Sequence, residues 1–244
     1  MRNILLTLRY DGTAYHGWQI QPNADTVQQQ LSVAFKYLSG KDENIIGCSR
    51  TDAGVHANMF CCNVRTDCTV DAKKLPEALN FYLPRDIAIC DAVDVEYDFH
   101  ARYDCKGKEY VYLIYNGKHR NPFYENKALF YPYDLNVELM DKEAKAFIGT
   151  HDFSAFCSAG SEVEDKIREI YDINVSRDGD VVKVTVSGNG FLYNMVRIIV
   201  GTLIDIQRGK IQENQVAQII ESKNREKAGA TVEPQGLYLN KVFY

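Results

Sequence analysis

The sequence has no long uninterrupted apolar run and no amino-terminal stretch of the kind that directs secretion. Its longest apolar segment, residues 191–204, contains an asparagine and an arginine, and it is shorter than the ~20 apolar residues that a membrane-spanning helix needs. The apolar run that begins at Ile4 is also short and is soon followed by charge, unlike a secretory signal. We therefore expect a cytoplasmic protein that does not associate with membranes.

The cysteine pattern does not fit the common disulfide or metal frameworks. The chain has seven cysteines, and they form no C-x-x-C pair and no Cys/His cluster with the spacing of a zinc site. The number is odd, so reduced thiols in an intracellular compartment are the simplest interpretation. The sequence predicts no bound metal.

An excess of basic charge is also missing. The chain has 28 Lys and Arg against 33 Asp and Glu, for a formal net charge of −5. Binding of nucleic acid needs clustered basic side chains, so the composition argues against such a partner. A local basic cleft on an acidic protein remains compatible with it.

What is present is a regular alternation of strand and helix signals. Apolar alternation and turn residues predict strands at 4–10, 58–64, 87–93, 109–115, 171–188 (a hairpin) and 236–244. Helical spacing predicts helices that begin at Thr26 and Asp71, a helix over 136–147, a strongly apolar helix over 188–206, and an amphipathic helix at 215–222. Thr26 and Gln29 have the spacing of a capping box, and Gly40 is positioned to end the first helix.

The two halves of this pattern follow a similar plan, which suggests an internally duplicated α+β architecture. The crossing near residues 100–110 is charged but not rich in Pro or Ser, so a rigid junction is favoured over a free linker. We expect an N-terminal half at residues 1–104 and a C-terminal half at residues 105–244.

Arg197 lies within the apolar helix predicted over 188–206. A helix that is apolar nearly all round is normally buried, and an unpaired buried charge is costly. No acidic residue occurs between Asp180 and Asp205, so no partner lies one helical turn away. Arg197 therefore needs an acid from elsewhere or an anionic ligand, unless its head group reaches water along the helix surface.

Asp52 is the candidate partner, in the stretch CSRTDAGVHANMF at 48–60. A carboxylate beside an arginine has a lowered pKa and stays ionised, which suits a nucleophile or an electrostatic stabiliser. The alternative is a turn residue that bonds its own backbone. Arg50 would point to the other face of an extended segment and could contact a ligand, or it could be ordinary surface charge.

The stretch SRTDAGVHA at 49–57 resembles the signature of the tRNA pseudouridine synthase A family. Ser49 departs from it, because the family usually has Gly there. Further stretches of this sequence resemble that family in the same order: YDGTAYHGWQIQPNADTVQQQL (10–31), LPRDI (83–87), FHARY (99–103), KEYVY (108–112), GTHDFSAF (149–156), GNGFLYNMVR (188–197) and GLYLNKVFY (236–244). The resemblance covers nearly the whole chain.

The resemblance implies an isomerase (an intramolecular transferase) that converts uridine to pseudouridine in the anticodon stem-loop of tRNA, at tRNA positions 38, 39 and 40. It implies a homodimer with no metal and no organic cofactor. The implied fold is α+β and pseudosymmetric: two ferredoxin-like or RRM-like halves share a long mixed, mainly antiparallel sheet with helices packed on it.

The same resemblance assigns roles to individual residues. The family's catalytic aspartate falls on Asp52, its active-site tyrosine on Tyr110, its second-half arginine on Arg197, and its base-flipping arginine on Arg50. Two residues of the GNGFLYNMVR stretch, Asn189 and Phe191, are expected to bind the substrate. Without the resemblance, Tyr110 would be taken for a cross-strand aromatic residue of the sheet.

Two other functions remain open from the residues alone. A non-catalytic RNA-binding module of two RRM-like halves is one, although the aromatic RNP1 pattern is missing. A glycosidase-like hydrolase is the other, but it normally needs a second acid in the site. His56 has no accompanying Ser or Cys nucleophile, so we predict that it is structural.

Overall fold

The computed structural model describes residues 1–161 and 163–244, which divide into two compact units. Unit 1 is Met1–Lys106 with Tyr238–Tyr244, and unit 2 is Gly107–Leu237. The division expected from the sequence differs at the C-terminus, because residues 238–244 belong to unit 1.

The described residues of each unit form both β-strands and α-helices. In the first part of the chain these are β1 (Arg2–Tyr10), α1 (Val27–Ser39), β2 (Ile45–Gly47), β3 (His56–Thr66), α2 (Leu75–Asn80) and β4 (Ile87–Val95). They continue with β5 (Gly107–Tyr115), β6 (Leu129–Phe130), α3 (Val137–Ala144), β7 (Gly149–Asp152), β8 (Ile167–Asp178), β9 (Val181–Gly188), α4 (Met195–Gln207), α5 (Val216–Ser222) and β10 (Leu237–Phe243). Both units are α+β, so the predicted fold class is confirmed.

In unit 1, β1 lies between β3 and β4 and pairs antiparallel with both. The short β2 pairs antiparallel with the later part of β3. The last strand pairs parallel with the start of β3, through Tyr238 opposite His56 and Leu239 opposite Ala57. This pairing is the reason that the C-terminal residues belong to unit 1.

Local signals explain the first helix. The Thr26 side chain accepts a hydrogen bond from the backbone amide of Gln29 at 3.4 Å, and Gly40 ends the helix in the left-handed conformation with φ of 78°. The side chains that α1 buries have helical spacing: Val27, Leu31, Ala34 and Phe35. The start and end predicted for this helix are both confirmed.

In unit 2, β5, β9, β8 and β7 pair antiparallel in that order, and β6 adds a short parallel pair to β5. The predicted hairpin is confirmed as β8 and β9, which turn through Gly179 with φ of 54°. Helix α3 packs on β8 and on α4. Nearly every side chain of α4 is buried.

The apolar helix begins later than the sequence predicts. It starts at Met195 rather than near residue 188, so Arg197 lies in the first turn and not in the middle of the helix. Asn194, immediately before it, has φ of 61°, and a left-handed residue cannot continue a right-handed helix toward the N-terminus. The strands β2, β6 and β7 were not predicted, and each is at most four residues long.

Within residues 1–161 and 163–244, no helix is both long enough and apolar enough to cross a lipid bilayer.

Candidate active site

Asp52 lies in the loop that joins β2 to β3 in unit 1. The Val55 amide donates to the Asp52 carbonyl oxygen at 3.1 Å, and Gly54 has φ of 76°. The carbonyl of Asp52 thus closes a tight turn whose third residue needs a positive φ, as Gly allows. The Asp52 side chain is half-buried, so the carboxylate stands at the start of the turn and not in the core.

The segment between β1 and α1 holds this loop by hydrogen bonds to the neighbours of Asp52. The Thr51 hydroxyl is 2.8 Å from the Tyr10 hydroxyl in a buried hydrogen bond. The Thr51 carbonyl accepts from the Trp18 amide at 3.2 Å, and the Gly54 amide donates to the Tyr15 carbonyl at 3.1 Å. The backbone is therefore fixed on both sides of Asp52.

Gly17 lets the two segments approach this closely. It has φ of 87°, and a Cβ atom there would overlap the carbonyl oxygen of Thr51. Next to it, Trp18 is 3% exposed and stacks on Phe60 of β3, with 4.0 Å between ring centroids. The Asp52 loop is thus supported by close contact between its backbone and that of Gly17, and by the buried aromatic pair next to this contact.

His56 is part of the same support. It is 1% exposed, its ring stacks on Tyr238 at 4.6 Å, and its Nδ1 accepts a hydrogen bond from the Gly12 amide at 3.0 Å. The Asp11 carboxylate oxygen lies 3.1 Å from the same Nδ1 and also accepts from the amide and the hydroxyl of Thr13. This environment supports the structural role predicted for His56.

The two residues before Thr51 differ in exposure. Arg50 is exposed and Ser49 is half-buried. Ser49 is not among the residues with positive φ, so its β-carbon brings no left-handed backbone strain to this position.

Tyr110 lies on β5 in unit 2, opposite Val186 of β9. It is 6% exposed, and its ring packs edge-on against Phe191 with 5.1 Å between centroids. The structure thus brings together two of the predicted site residues, one from a strand and one from the loop before α4.

Arg197 has its guanidinium held at two nitrogens. Nε donates to the carbonyl oxygen of Val232 at 2.7 Å, and Nη1 donates to Oδ1 of Asn194, also at 2.7 Å. Tyr112 lies nearby: burial raises the pKa of its hydroxyl, and the positive charge of Arg197 acts in the opposite direction. The side chain of Arg197 is half-buried, and these two bonds contribute to its orientation.

The irregular segment that provides Val232 packs tightly on α4. The Gly229 amide donates to the Thr202 hydroxyl at 2.9 Å, and a Cβ atom on Gly201 would overlap the carbonyl oxygen of Ala230. The close approach of the two backbones fixes the carbonyl that Arg197 binds.

Asn189 extends the pairing of β8 and β9. Its backbone amide donates to the Glu169 carbonyl at 3.0 Å, and its Oδ1 accepts from the Glu169 amide at 3.0 Å. The side chain is exposed. Its carboxamide oxygen thus has a structural task, and substrate binding by Asn189 stays a prediction.

The predicted site residues fall into two sets: Asp52 and Arg50 in unit 1, and Tyr110, Asn189, Phe191 and Arg197 in unit 2. The pairing of Asp52 with Arg197 stays a prediction. Sequence reasoning missed Asn194 and Val232, which orient Arg197. No signal in the sequence pointed to either residue, because Asn194 lies inside the helix predicted over 188–206 and Val232 contributes only its backbone carbonyl.

The chain is similar to known proteins over its whole length. A family model described as tRNA pseudouridine synthase matches residues 7–104 and 144–244. The tRNA pseudouridine synthase A of Thermoanaerobacter sp. (strain X514) is 50% identical over 244 residues and covers 100% of both chains. The protein of the same name from Caldicellulosiruptor saccharolyticus is 48% identical over the same 100% of both chains.

Among solved structures, a chain of the Cbf5-Nop10-Gar1 complex superposes with a TM-score of 0.39 at 14% identity, over 99% of this chain and 58% of that chain. A TM-score this low does not bear on the fold. The two relatives match this chain over its full length, and the family model matches residues 7–104 and 144–244. The chain therefore belongs to the tRNA pseudouridine synthase family.

Proposed function

We propose that this protein isomerises uridine to pseudouridine in the anticodon stem-loop of tRNA, at tRNA positions 38, 39 and 40, with Asp52 as the nucleophile or base. Membership of the tRNA pseudouridine synthase family supports the reaction and the substrate class. The structural observation that supports it most directly is the fixed backbone on both sides of Asp52. A half-buried carboxylate on such a loop is positioned before the substrate arrives.

The reaction breaks the bond between N1 of uracil and C1′ of the ribose and forms a bond between C5 and C1′. One proton leaves C5 and one is gained at N1, so the atoms balance. Positive charge builds on the sugar as the first bond breaks. An ionised Asp52 stabilises this charge either by attack on C1′ or by removal of the proton at C2′.

Tyr110 is proposed to stack on the released uracil and to accept the C5 proton. Its ring is held by the edge-on contact with Phe191, and its backbone lies in the antiparallel pairing of β5 with β9. Arg197 is proposed to keep Asp52 ionised and oriented, since an adjacent cation favours the charged form of a carboxylate.

The target uridine is stacked in an RNA stem, so the proposed reaction needs the base to be flipped out of the stack. Flipping costs a few kcal/mol and is offset by contacts in the pocket. Arg50 is exposed beside Asp52, where it can contact a phosphate or fill the space that the base leaves. We further propose a cytoplasmic homodimer, on the basis of the family resemblance.

The test is release of tritium from tRNA labelled at C5 of uracil. Wild type is expected to release it, and Asp52→Asn, which keeps the shape but removes the charge, is expected to lose release while it keeps tRNA binding in a filter assay. Asp42→Asn is the matched control, because Asp42 is 82% exposed in a surface ion pair with Lys36. Binding without release by wild type would indicate a non-catalytic RNA-binding module, and free uracil would indicate a hydrolase.

A further inference from the structure

Asn194 has an unusual place at the start of α4. It has φ of 61° and ψ of 9°, the left-handed conformation, and its side chain makes no capping hydrogen bond to the helix. Asparagine directly before a helix normally caps a free backbone amide with its side chain. In this protein the Asn194 side chain bonds other side chains instead.

The Asn194 side chain links Arg197 to Ser158. Oδ1 accepts from Nη1 of Arg197 at 2.7 Å, and Nδ2 donates to Oγ of Ser158 at 3.0 Å. The assignment of oxygen and nitrogen follows from Arg197, which can only donate. The Ser158 amide in turn donates to the Tyr193 carbonyl at 3.1 Å, so Ser158 is tied to the same short segment by both backbone and side chain.

The left-handed backbone is what directs the side chain toward Arg197. A residue other than glycine in this conformation is sterically disfavoured, and asparagine is among those that tolerate it. Glycine would relieve the cost at position 194 but would provide no oxygen. Asparagine both tolerates the left-handed conformation and provides the oxygen that accepts the hydrogen bond from Arg197.

Two bonds to different nitrogens determine the plane of a guanidinium group. The Nε bond to the Val232 carbonyl by itself allows rotation about that bond. The bond from Nη1 to Asn194 resists this rotation. Asn194 therefore contributes to the direction in which the Arg197 fork presents its other donors.

We propose that Asn194, itself held by Ser158, is a positioning residue that sets the orientation of the Arg197 guanidinium for the isomerisation. The inference rests on the proposed function to the extent that Arg197 acts in the reaction. Asn194 touches neither substrate nor reacting atoms in this scheme; it acts through Arg197.

The sharpest variant is Asn194→Gly, because glycine accepts a φ of 61° without strain and only the side chain is lost. We expect kcat for tRNA to fall by about 10- to 100-fold, with KM changed by less than about twofold and thermal stability not reduced. Asn214→Gly is the matched control, since Asn214 in the same unit has φ of 60° and its side chain has no part in the Arg197 network; its kcat is expected to equal that of wild type.

Two further variants separate positioning from a merely structural role. Asn194→Asp keeps an acceptor for Arg197 and is expected to recover most of the lost kcat. In the Arg197→Ala background, Asn194→Gly is expected to have no further effect on kcat, because its only route of action has been removed. Wild-type kcat in Asn194→Gly, or a full additional loss in the double variant, would overturn the proposal.

A readout that does not depend on activity distinguishes this inference from the proposed function. The ¹⁵N resonance of Arg197 Nε is expected to show slowed hydrogen exchange in wild type and faster exchange in Asn194→Gly, but not in Asn214→Gly. Unchanged exchange in Asn194→Gly overturns the positioning role. If exchange responds as expected while Arg197→Ala keeps wild-type kcat, the geometry stands, the catalytic role of Arg197 fails, and with it the purpose assigned to Asn194.

Discussion

The backbone on both sides of Asp52 and the guanidinium group of Arg197 are each held by hydrogen bonds within their own unit. Asp52 is flanked by Thr51 and Gly54, both bonded to the segment that precedes α1. Arg197 is bonded to one backbone carbonyl and one carboxamide. Neutral partners of this kind help to fix the direction of a charged group without cancelling its charge.

The charge of Arg197 is expected to be visible in the pH dependence of the reaction. An adjacent cation lowers the pKa of a carboxyl group, so its removal raises that pKa. In Arg197→Gln, the acidic limb of kcat/KM for tRNA is expected to shift to higher pH, because Asp52 becomes protonated at a higher pH than in wild type.

The control for this shift is Arg177→Gln. Arg177 is an exposed arginine of the same unit that bonds Asn116 and the Leu135 carbonyl. Its removal is expected to leave the acidic limb in place. An unshifted limb in Arg197→Gln would refute the proposed pairing of Arg197 with Asp52.

The hydroxyl of Tyr110 has a separate prediction. Tyr110→Phe keeps the ring and its edge-on contact with Phe191 but removes the proposed acceptor of the C5 proton. A general acid–base group contributes about 10²- to 10⁴-fold, and a loss of that size in kcat is expected with tRNA binding retained. Tyr115→Phe, at the far end of the same strand, is the control; equal rates of tritium release from both variants would exclude the role.

At the level of elements, the Asp52 loop is shaped by contact between two backbones. Gly17 and Gly40 both have positive φ, of 87° and 78°, but only Gly17 lies against other backbone, whereas a Cβ on Gly40 would meet nothing within 4 Å. Substitution of these two glycines therefore distinguishes the cost of a positive φ, which both would have, from the cost of a steric overlap, which only Gly17 would have.

Gly40→Ala is expected to lower the free energy of unfolding by about 1 kcal/mol, the cost of the left-handed conformation alone. Gly17→Ala is expected to cost more than that and also to lower kcat/KM, since the Thr51 carbonyl must move and Asp52 moves with it. Urea unfolding and tritium release measure the two effects. Equal unfolding free energies and unchanged kcat/KM would show that the loop does not depend on this contact.

A second element-level prediction concerns the connection of β7 to α5. The Asp152 carboxylate accepts from the Ser154 hydroxyl and amide and lies 2.9 Å from Nζ of Lys223. These bonds, the Ser154 hydroxyl first, lower the pKa of Asp152 to about 2. Since the pKa of an unfolded aspartate is about 3.9, the carboxylate stabilises the fold above that value and ceases to do so as the pH falls toward 2.

Asp152→Asn is therefore expected to lower the free energy of unfolding at pH 7 by at most about 2 kcal/mol. The difference from wild type is expected to close between about pH 4 and pH 2. Urea unfolding at a series of pH values measures it, with Asp42→Asn as the surface control. A difference that does not change with pH would mean that the effect is not electrostatic.

The sequence predicted those elements whose determinants are local. Thr26, Gly40 and the apolar stripe between them are sufficient to define α1, and Gly179 with the alternating residues around it defines the hairpin. The start of α4 was placed too early because the apolar composition continues through 191–193, while the break depends on the backbone conformation of a single residue, Asn194.

The sequence identified the candidate site residues one by one, but it did not identify the groups that hold them in place. Asp52, Tyr110 and Arg197 follow from motifs, whereas the carbonyl of Val232 is a backbone group that any residue could provide. The parallel pairing of β10 with β3 joins Tyr238 to His56 across most of the chain, and such long-range pairing has no local signal.

At the scale of the whole molecule, unit 1 contains both ends of the chain. The C-terminal residue, Tyr244, donates its hydroxyl hydrogen to the Ala101 carbonyl at 2.8 Å, and burial, the main cause, raises the pKa of this hydroxyl. Phe243 accepts at its carbonyl from the Lys106 amide at 2.8 Å. Residues 243 and 244 are therefore held to the rest of unit 1 by these two hydrogen bonds, although Phe243 is exposed and Tyr244 is half-buried.

Deletion of residues 238–244 is expected to raise amide hydrogen exchange in β1 and β3 of unit 1 while the β8–β9 hairpin of unit 2 stays protected. The reason is that β3 loses its parallel neighbour and His56 loses the ring of Tyr238. Mass spectrometry of exchange in the two regions measures it, and Tyr244→Phe, which removes one hydrogen bond, is the milder control. Equal protection of β3 in the deleted and the full-length chain would contradict this account.

The discontinuous make-up of unit 1 has a consequence for protein synthesis. The ribosome delivers the Asp52 loop before unit 2, whereas β10, which pairs with β3 at His56, follows unit 2. The nascent chain must hold an open sheet edge beside β3 while all of unit 2 is being made. A chain that stops before residue 238 therefore lacks the parallel neighbour of β3, the strand that begins four residues after Asp52.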